Sequence, residues 1–241
     1  MAILEVAGVE KRFGGLVAVS DFSFSLDEGE VVGLIGPNGA GKTTLFNVIS
    51  GFYEPEKGHI NFDGRDITSM RPDQICKLGL TRTFQVVRPF SQLSVLDNVM
   101  VGAYSRTSSD EVARSVAMET LEFLGMTSVA HQTARGLPVA ARKRLEIARA
   151  LATDPTVLLL DEAMAGLRPS EMDQIIEIVR KVGERGIALL IVEHVMKIIM
   201  SLAERIMVVH HGVKIADAEP SQVVHDEAVI DAYLGEAGGD A

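Results

Sequence analysis

The sequence predicts an α/β fold with a mainly parallel sheet flanked by helices, and three observations carry that expectation. Continuous apolar runs at "EVVGLI" (30–35), "TVLLLDE" (156–162) and "IALLIVEH" (187–194) read as strands buried on both faces. Amphipathic stretches of helical period stand between and after them. The interval from about 86 to 153 has no such run and reads as mostly helical, an inserted subdomain or a lid.

"FSFSL" (22–26) alternates Phe22, Phe24 and Leu26, the pattern of a half-buried strand. The run at 30–35 ends in a glycine-rich loop, and a helix is expected from Lys42 to about Ser50. "HINFDGRDI" (59–67) reads as a hairpin turning at Asp63-Gly64. Over 110–125 the spacing puts Val112, Val116, Leu121 and Leu124 on one helical face, with Gly125 as the stop. Met172, Ile175, Ile176, Val179 and Val182 mark an amphipathic helix stopping near Gly183. A helix with Val195, Ile198, Ile199 and Leu202 follows the third buried run. The strand "IMVV" and a small helix around 226–234 come next, and the tail "GEAGGDA" is expected to fray.

At 241 residues the chain can bury a sizeable core. Its formal net charge of -10 argues against a broad nucleic-acid footprint, which needs clustered Lys and Arg. Cys76 is the only cysteine, so no intrachain disulfide forms, which suits a reducing compartment. No signal-like segment opens the chain, and its apolar runs fall far short of the roughly 20 residues a membrane helix needs. A soluble, cytoplasmic protein is expected, held by another chain if it works at a membrane.

"GPNGAGKTT" (36–44) fits the phosphate-loop pattern G-x-x-x-x-G-K-[ST] at Gly36, Gly41, Lys42 and Thr43, between a buried strand and a helix. Backbone N–H groups of Gly36, Pro37's neighbours Asn38, Gly39 and Ala40, and Gly41 to Thr44 form an anion nest at a helix start. Lys42 can reach the β- and γ-phosphates of ATP, and the Thr43 hydroxyl can ligate Mg²⁺. Asp161 ends a buried strand at the sheet's carboxyl edge, placed to hold Mg²⁺. Glu162, one residue on, can polarise an attacking water. These residues predict a nucleoside triphosphatase.

The remaining motifs narrow the class. "KRFGG", "TRTFQVVRPFSQLSVLDNVMVG", "RLEIARALATDPTVLLLDEAMAGLRP" and "VIDAYLGEA" make the chain resemble the ATP-binding subunits of ABC transporters over almost its whole length. It looks most like the LivG-type ATPases of branched-chain amino acid importers. The resemblance implies an ABC-type P-loop core over 1–85 and 154–241, with an N-terminal antiparallel β part. A helical subdomain over 86–153 would complete one nucleotide-binding domain. It also implies that Phe13 stacks on adenine, the alternative being a buried Phe at a strand end. Gln85 would sense Mg²⁺ and the attacking water, and His194 would reach the γ-phosphate as the switch histidine. Residues 86–96, with Val86, Val87, Pro89, Phe90, Leu93 and Val95, would face transmembrane permease subunits, with a solute-binding protein as an indirect partner. The other histidines, including His210 and His211, receive no role.

The family's signature, commonly Leu-Ser-Gly-Gly-Gln, falls on Leu137, Pro138, Val139, Ala140 and Ala141. Pro138 lacks the serine hydroxyl, Ala140 puts a methyl where glycine lets phosphate approach, and Ala141 offers no amide. Such a degenerate signature implies a heterodimer with an intact partner ATPase, a homodimer being the alternative. Arg142, Lys143 and Arg144 read first as a solvated basic face and second as electrostatic compensation for the signature. The resemblance places the chain on the inner face of the cell membrane as a peripheral subunit. Competing readings are a non-transport ABC ATPase, a regulatory nucleotide-binding subunit and an export ATPase.

Overall fold

The computed structural model describes residues 1–86 and 88–237. In chain order, β1 (Ala2–Phe13) and β2 (Leu16–Asp27) form a long hairpin, followed by β3 (Val31–Ile35) and α1 (Lys42–Ile49). Next come β4 (Lys57–Phe62), β5 (Arg65–Asp66), α2 (Pro72–Leu78) and β6 (Leu80–Arg82). Three helices follow: α3 (Val95–Ala103), α4 (Asp110–Phe123) and α5 (Val139–Leu151). The chain returns through β7 (Val157–Asp161), α6 (Pro169–Glu184), β8 (Ala188–Val192), α7 (Met196–Leu202), β9 (Arg205–His210) and β10 (Val213–Ala218). It closes with α8 (Pro220–Val223) and α9 (Glu227–Ala237). Of the tail 235–241, residues 238–241 lie outside the described residues.

Two sheets form. One is antiparallel in the order β2-β1-β4-β5, and the other runs β10-β9-β3-β8-β7-β6. In the second sheet all pairings are parallel except β10 with β9. Side chains alternate across each parallel strand, so the continuous apolar runs feed two cores at once. Leu159, Leu190 and Leu34 face Phe22, Phe46 and Phe62, between this sheet and the antiparallel one. Leu158, Leu160 and Ile191 face the opposite side, in one core with α3, α4, α5, α6 and α7. Each such side chain buried contributes roughly 1.5–3 kcal/mol.

The hairpin at 59–67 forms, with Asp63 and Gly64 both at positive φ (48° and 70°) as a tight two-residue turn requires. The predicted face of α4 differs. Ala113, Ala117, Thr120 and Leu121 are its buried residues, whereas Val112 is exposed and Val116 only half-buried. α4 packs against α3, and the small side chains of Ala113 and Ala117 let the two helices approach, so the i, i+4 alanine row faces inward.

Candidate nucleotide site

β3 delivers the loop 36–41 to the carboxyl edge of the parallel sheet, and α1 begins at Lys42. Gly41 stands before α1 at φ 108°, a left-handed conformation only glycine adopts without cost. At Gly36 a Cβ would lie 2.1 Å from the Val209 carbonyl oxygen, which belongs to β9 and cannot yield. Gly36→Ala is therefore expected to lose on the order of 3 kcal/mol of stability through overpacking. Thermal melts and nucleotide titration of the purified variant would check this, and a parent-like melting temperature would contradict it.

A cavity of about 420 Å³ opens over this loop. Asn38, Gly39, Ala40, Gly41, Lys42, Thr43 and Thr44 line its floor, with Gln85 and Glu162 on one side and Phe13, Leu16, Val17 and Ala18 on another. Gly36 and Pro37 meet Lys42 directly: its Nζ donates to their carbonyls at 2.6 and 2.8 Å. Phe13 ends β1 exposed, not buried, with the edge of its ring meeting Tyr53 at 5.2 Å between centroids. His211, assigned no role from sequence, also lines the cavity; its φ of 48° turns the chain between β9 and β10 there. His194 is exposed between β8 and α7 and is absent from the cavity's lining.

Asp161 and Glu162 leave the end of β7 in different states. Asp161 is buried, and its Oδ2 accepts from Arg82 Nη2 at 3.0 Å. Burial pushes its carboxyl above the ordinary range, a rise that the Arg82 charge opposes. Asp161 Oδ1 is buried without a hydrogen-bond partner among the described residues. Arg82 is held in turn by Asn47 Oδ1 (2.6 Å) and Ser50 Oγ (3.2 Å), with the Phe84 ring 4.7 Å from its guanidinium carbon. No signal in the sequence assigned Arg82 a role. Its burial under aromatic rings is a product of packing.

Glu162 adopts φ 47°, strained for a residue with a Cβ. Gln85 Nε2 donates to Glu162 Oε2 at 2.7 Å, so the amide fixes the carboxylate. Lys143 is also here. Its residue is 6% exposed, and its Nζ donates to the Glu162 carbonyl at 2.8 Å and the Gln85 carbonyl at 3.3 Å. The solvated-face reading of Arg142 to Arg144 therefore fails at the middle residue. Arg142 Nε turns to the Leu137 carbonyl and Arg144 to the Gln174 side chain. Glu193, buried after β8, accepts the Met164 N–H at 2.9 Å, and burial pushes its carboxyl up.

The orphaned Asp161 Oδ1 tests the fit of a cation. A second cavity of about 510 Å³ is lined by Asp161, Thr43, Gln85 and Asn47, so hydroxyl, amide and carboxylate groups border it beside the phosphate loop, together with the guanidinium groups of Arg82, Arg88 and Arg149. No cluster of three or more His, Cys, Asp or Glu that could hold a metal occurs among the described residues. Mg²⁺ takes one or two protein oxygens together with substrate phosphates, and the unpartnered Asp161 Oδ1 is one such oxygen.

The stretch 86–96 divides. Val86, Phe90 and Leu93 are exposed, Pro89 is half-buried, and Val95 and Leu96 are buried in the core as α3 begins. Val87 lies outside the described residues. Buried Asn98 pins the loop, accepting the Phe90 N–H at 2.8 Å and donating to its carbonyl at 3.0 Å. At the start of α5, Pro138 gives no side-chain cap, and the Ala140 methyl is turned into the core. The exposed bulk at that helix end is Val139, 54% exposed, and not Ala140 as the sequence suggested.

Residues 19–165 match the family model described as ABC transporter, and 213–239 match that of the branched-chain amino acid ATP-binding cassette transporter. The chain is 39% identical to the high-affinity branched-chain amino acid transport ATP-binding protein BraF of Pseudomonas aeruginosa, over 98% of each chain. Identity to the Escherichia coli protein LivG, of the same description, is also 39%, again over 98% of each. A solved ATP-binding cassette of an ABC transporter in its ADP conformation superposes with a TM-score of 0.89 at 32% identity, covering 98% of this chain and 99% of that one. A nucleotide-free cassette gives 0.89 at 31%, covering 97% of this chain and 99% of that one.

Proposed function

Because the chain belongs to the ATP-binding subunits of ABC transporters, we propose that its ATP hydrolysis drives uptake of a branched-chain or similar hydrophobic amino acid. Likeness to BraF and LivG over nearly the whole length, including the C-terminal match at 213–239, is the observation that carries the choice of solute. No helix among the described residues is long and apolar enough to cross a membrane. The subunit would therefore sit peripherally on the inner face of the cell membrane. Permease subunits would dock on Val86, Phe90 and Leu93, and a solute-binding protein would act through them.

In this reading the phosphates of ATP lie on the N–H groups of residues 38–44, and Lys42 exchanges its loop carbonyls for phosphate oxygens. Phe13 offers its exposed ring to adenine. Mg²⁺, when bound, would neutralise charge on the β- and γ-phosphates, held through Thr43, Gln85 and Asp161. Glu162 orients a water for attack on the γ-phosphorus and takes its proton while the bond to the bridging oxygen breaks. Gln85 keeps the Glu162 carboxylate in place for that step. His194 would have to move to reach the γ-phosphate, because it does not line the cavity in this conformation. Pro138, which lacks a hydroxyl, and the exposed side chain of Val139 at that helix end support pairing with a second, intact-signature ATPase over self-pairing.

Uptake of labelled leucine by cells deleted for this gene tests the assignment. Restoring the parent chain is expected to restore uptake, and Lys42→Ala to leave it lower by about tenfold or more. Leucine uptake indifferent to the deletion would remove the solute assignment. Rescue by Lys42→Ala would remove the role of the phosphate loop.

A further inference from the structure

The three basic residues after the signature region meet different fates, and the central one has no place in the mechanism above. Lys is rarely buried unless paired, yet Lys143 is nearly enclosed in the second turn of α5. Its ammonium does not pair with a carboxylate at hydrogen-bond distance among its described contacts. It donates instead to two main-chain carbonyls from separate segments, Glu162 at the end of β7 and Gln85 after β6.

The Glu162 peptide unit shows what that clasp does. A left-handed φ of 47° at a residue with a Cβ persists only where the surroundings hold it. Four contacts do so. The Glu162 N–H donates to the Val192 carbonyl at 2.9 Å, Gln85 Nε2 donates to the carboxylate, and the Glu162 carbonyl accepts from Lys143 Nζ at 2.8 Å and from the Ala165 N–H at 3.2 Å. The first comes from the parallel sheet and the second from the loop after β6. Ala165 belongs to the turn after β7 itself, and only Lys143, of these four, comes from α5, the helix whose start carries the signature position. Gln85 is tied by the same ammonium, so the carboxylate and the amide that orients it share one tether to α5.

We propose that Lys143 is a positioning residue for hydrolysis: by bridging the carbonyls of Gln85 and Glu162 it sets the Glu162 carboxylate according to where α5 stands. A shift of α5, from the signature end or from the loop where Arg149 holds the Arg88 carbonyl, would then reach Glu162 directly. The inference rests on Glu162 being the base of the proposed mechanism.

The test is steady-state ATP hydrolysis by the full chain assembled with its intact-signature partner ATPase and permease subunits, with Mg²⁺, comparing parent, Lys143→Met, Lys143→Arg, Arg144→Gln and Glu162→Gln in this chain. Lys143→Met is expected to lower kcat about 10- to 100-fold while KM for ATP moves less than about twofold, because misplacing a reacting group costs rate, not ground-state binding. Lys143→Arg, which keeps a charged donor, should recover a large part of kcat. Arg144→Gln, whose contact is with Gln174, should match the parent. A parent-like kcat in Lys143→Met overturns the proposal. So does a variant whose KM rises as much as kcat falls, or a Lys143→Arg no better than Lys143→Met. If Lys143→Met does not fold, Lys143→Gln must show an intermediate kcat at unchanged KM, and parent-like or KM-led behaviour overturns the proposal equally. A Glu162→Gln chain that hydrolyses at the parent rate would instead remove the underlying assignment of Glu162.

Discussion

Glu162→Gln is expected to lower kcat by about 10²- to 10⁴-fold, the range for loss of a positioned general base, while leaving ATP binding in place. The amide is isosteric, so the left-handed turn and the Lys143 clasp on the carbonyl survive. Gln85 Nε2 loses its anionic acceptor but can still meet an amide oxygen. Because ATP stays bound, the variant also reads out the pairing proposed above. Light scattering should give the mass of the 26.0 kDa chain both with and without ATP, since the start of α5, with Pro138 lacking a hydroxyl and Val139 exposed, does not favour closure on a copy of itself. Adding an intact-signature partner ATPase should then produce an ATP-dependent heterodimer. A stable ATP-dependent mass of twice the monomer for the chain alone would defeat the asymmetric scheme. Unchanged turnover would defeat the role of Glu162.

Arg82→Met should cost about 3–5 kcal/mol, the loss seen when one member of a buried ion pair is removed. Both side chains are almost fully enclosed, at 5% and 2% exposure, and the N–O separation is 3.0 Å. For a chain of this size that corresponds to a fall in Tm of about 10 °C. The pH dependence has a definite sign. Asp161's carboxyl is already raised by burial, and without Arg82 the opposing positive charge is gone. With the folded pKa above the unfolded one, the penalty is absent below the unfolded value and grows as pH rises through the folded value. Arg82→Met should therefore look closest to the parent in acid and worst at neutral pH. Arg82→Met combined with Asp161→Asn should recover much of the loss, although it would lack the Asp161 charge. Thermal melts of the parent and both variants across pH check all of this. A single mutant as stable as the parent at neutral pH would show that the pair contributes nothing.

The parts of this protein legible in the sequence are those fixed by short-range spacing. The loop 36–44, the buried runs that became β3, β7 and β8, and the Asp63-Gly64 turn each depend on residues within a few positions of one another. Their chemistry is local: glycine conformations, a helix start, an apolar run long enough to bury both faces. β1, α2 and α3 carry no such local signal over their whole length. In β1, Leu4, Glu5 and Val6 alternate but Gly8 breaks the alternation before Val9, and the pairing with β2 and β4 supplies the order.

What the sequence left open depends on which face of an element meets which neighbour. Val112 looked like core on hydrophobicity, but close approach of α4 to α3 selects alanine there. Arg142, Lys143 and Arg144 are chemically alike in one dimension, each about 100° further round the helix. Packing of α5 against α3 and α4 turns only Lys143 inward, onto the Gln85 and Glu162 carbonyls. Arg82 and Asp161 lie 79 positions apart, and their pairing exists because β6 and β7 run parallel as neighbours. The sequence by itself determined a glycine-rich loop at residues 36–44 between a buried strand and a helix start, and the kind of side chains available beside it. Only the tertiary structure decided which charges are buried around Asp161 and Glu162, because burial belongs to surfaces brought together by the whole chain and not to any segment of it.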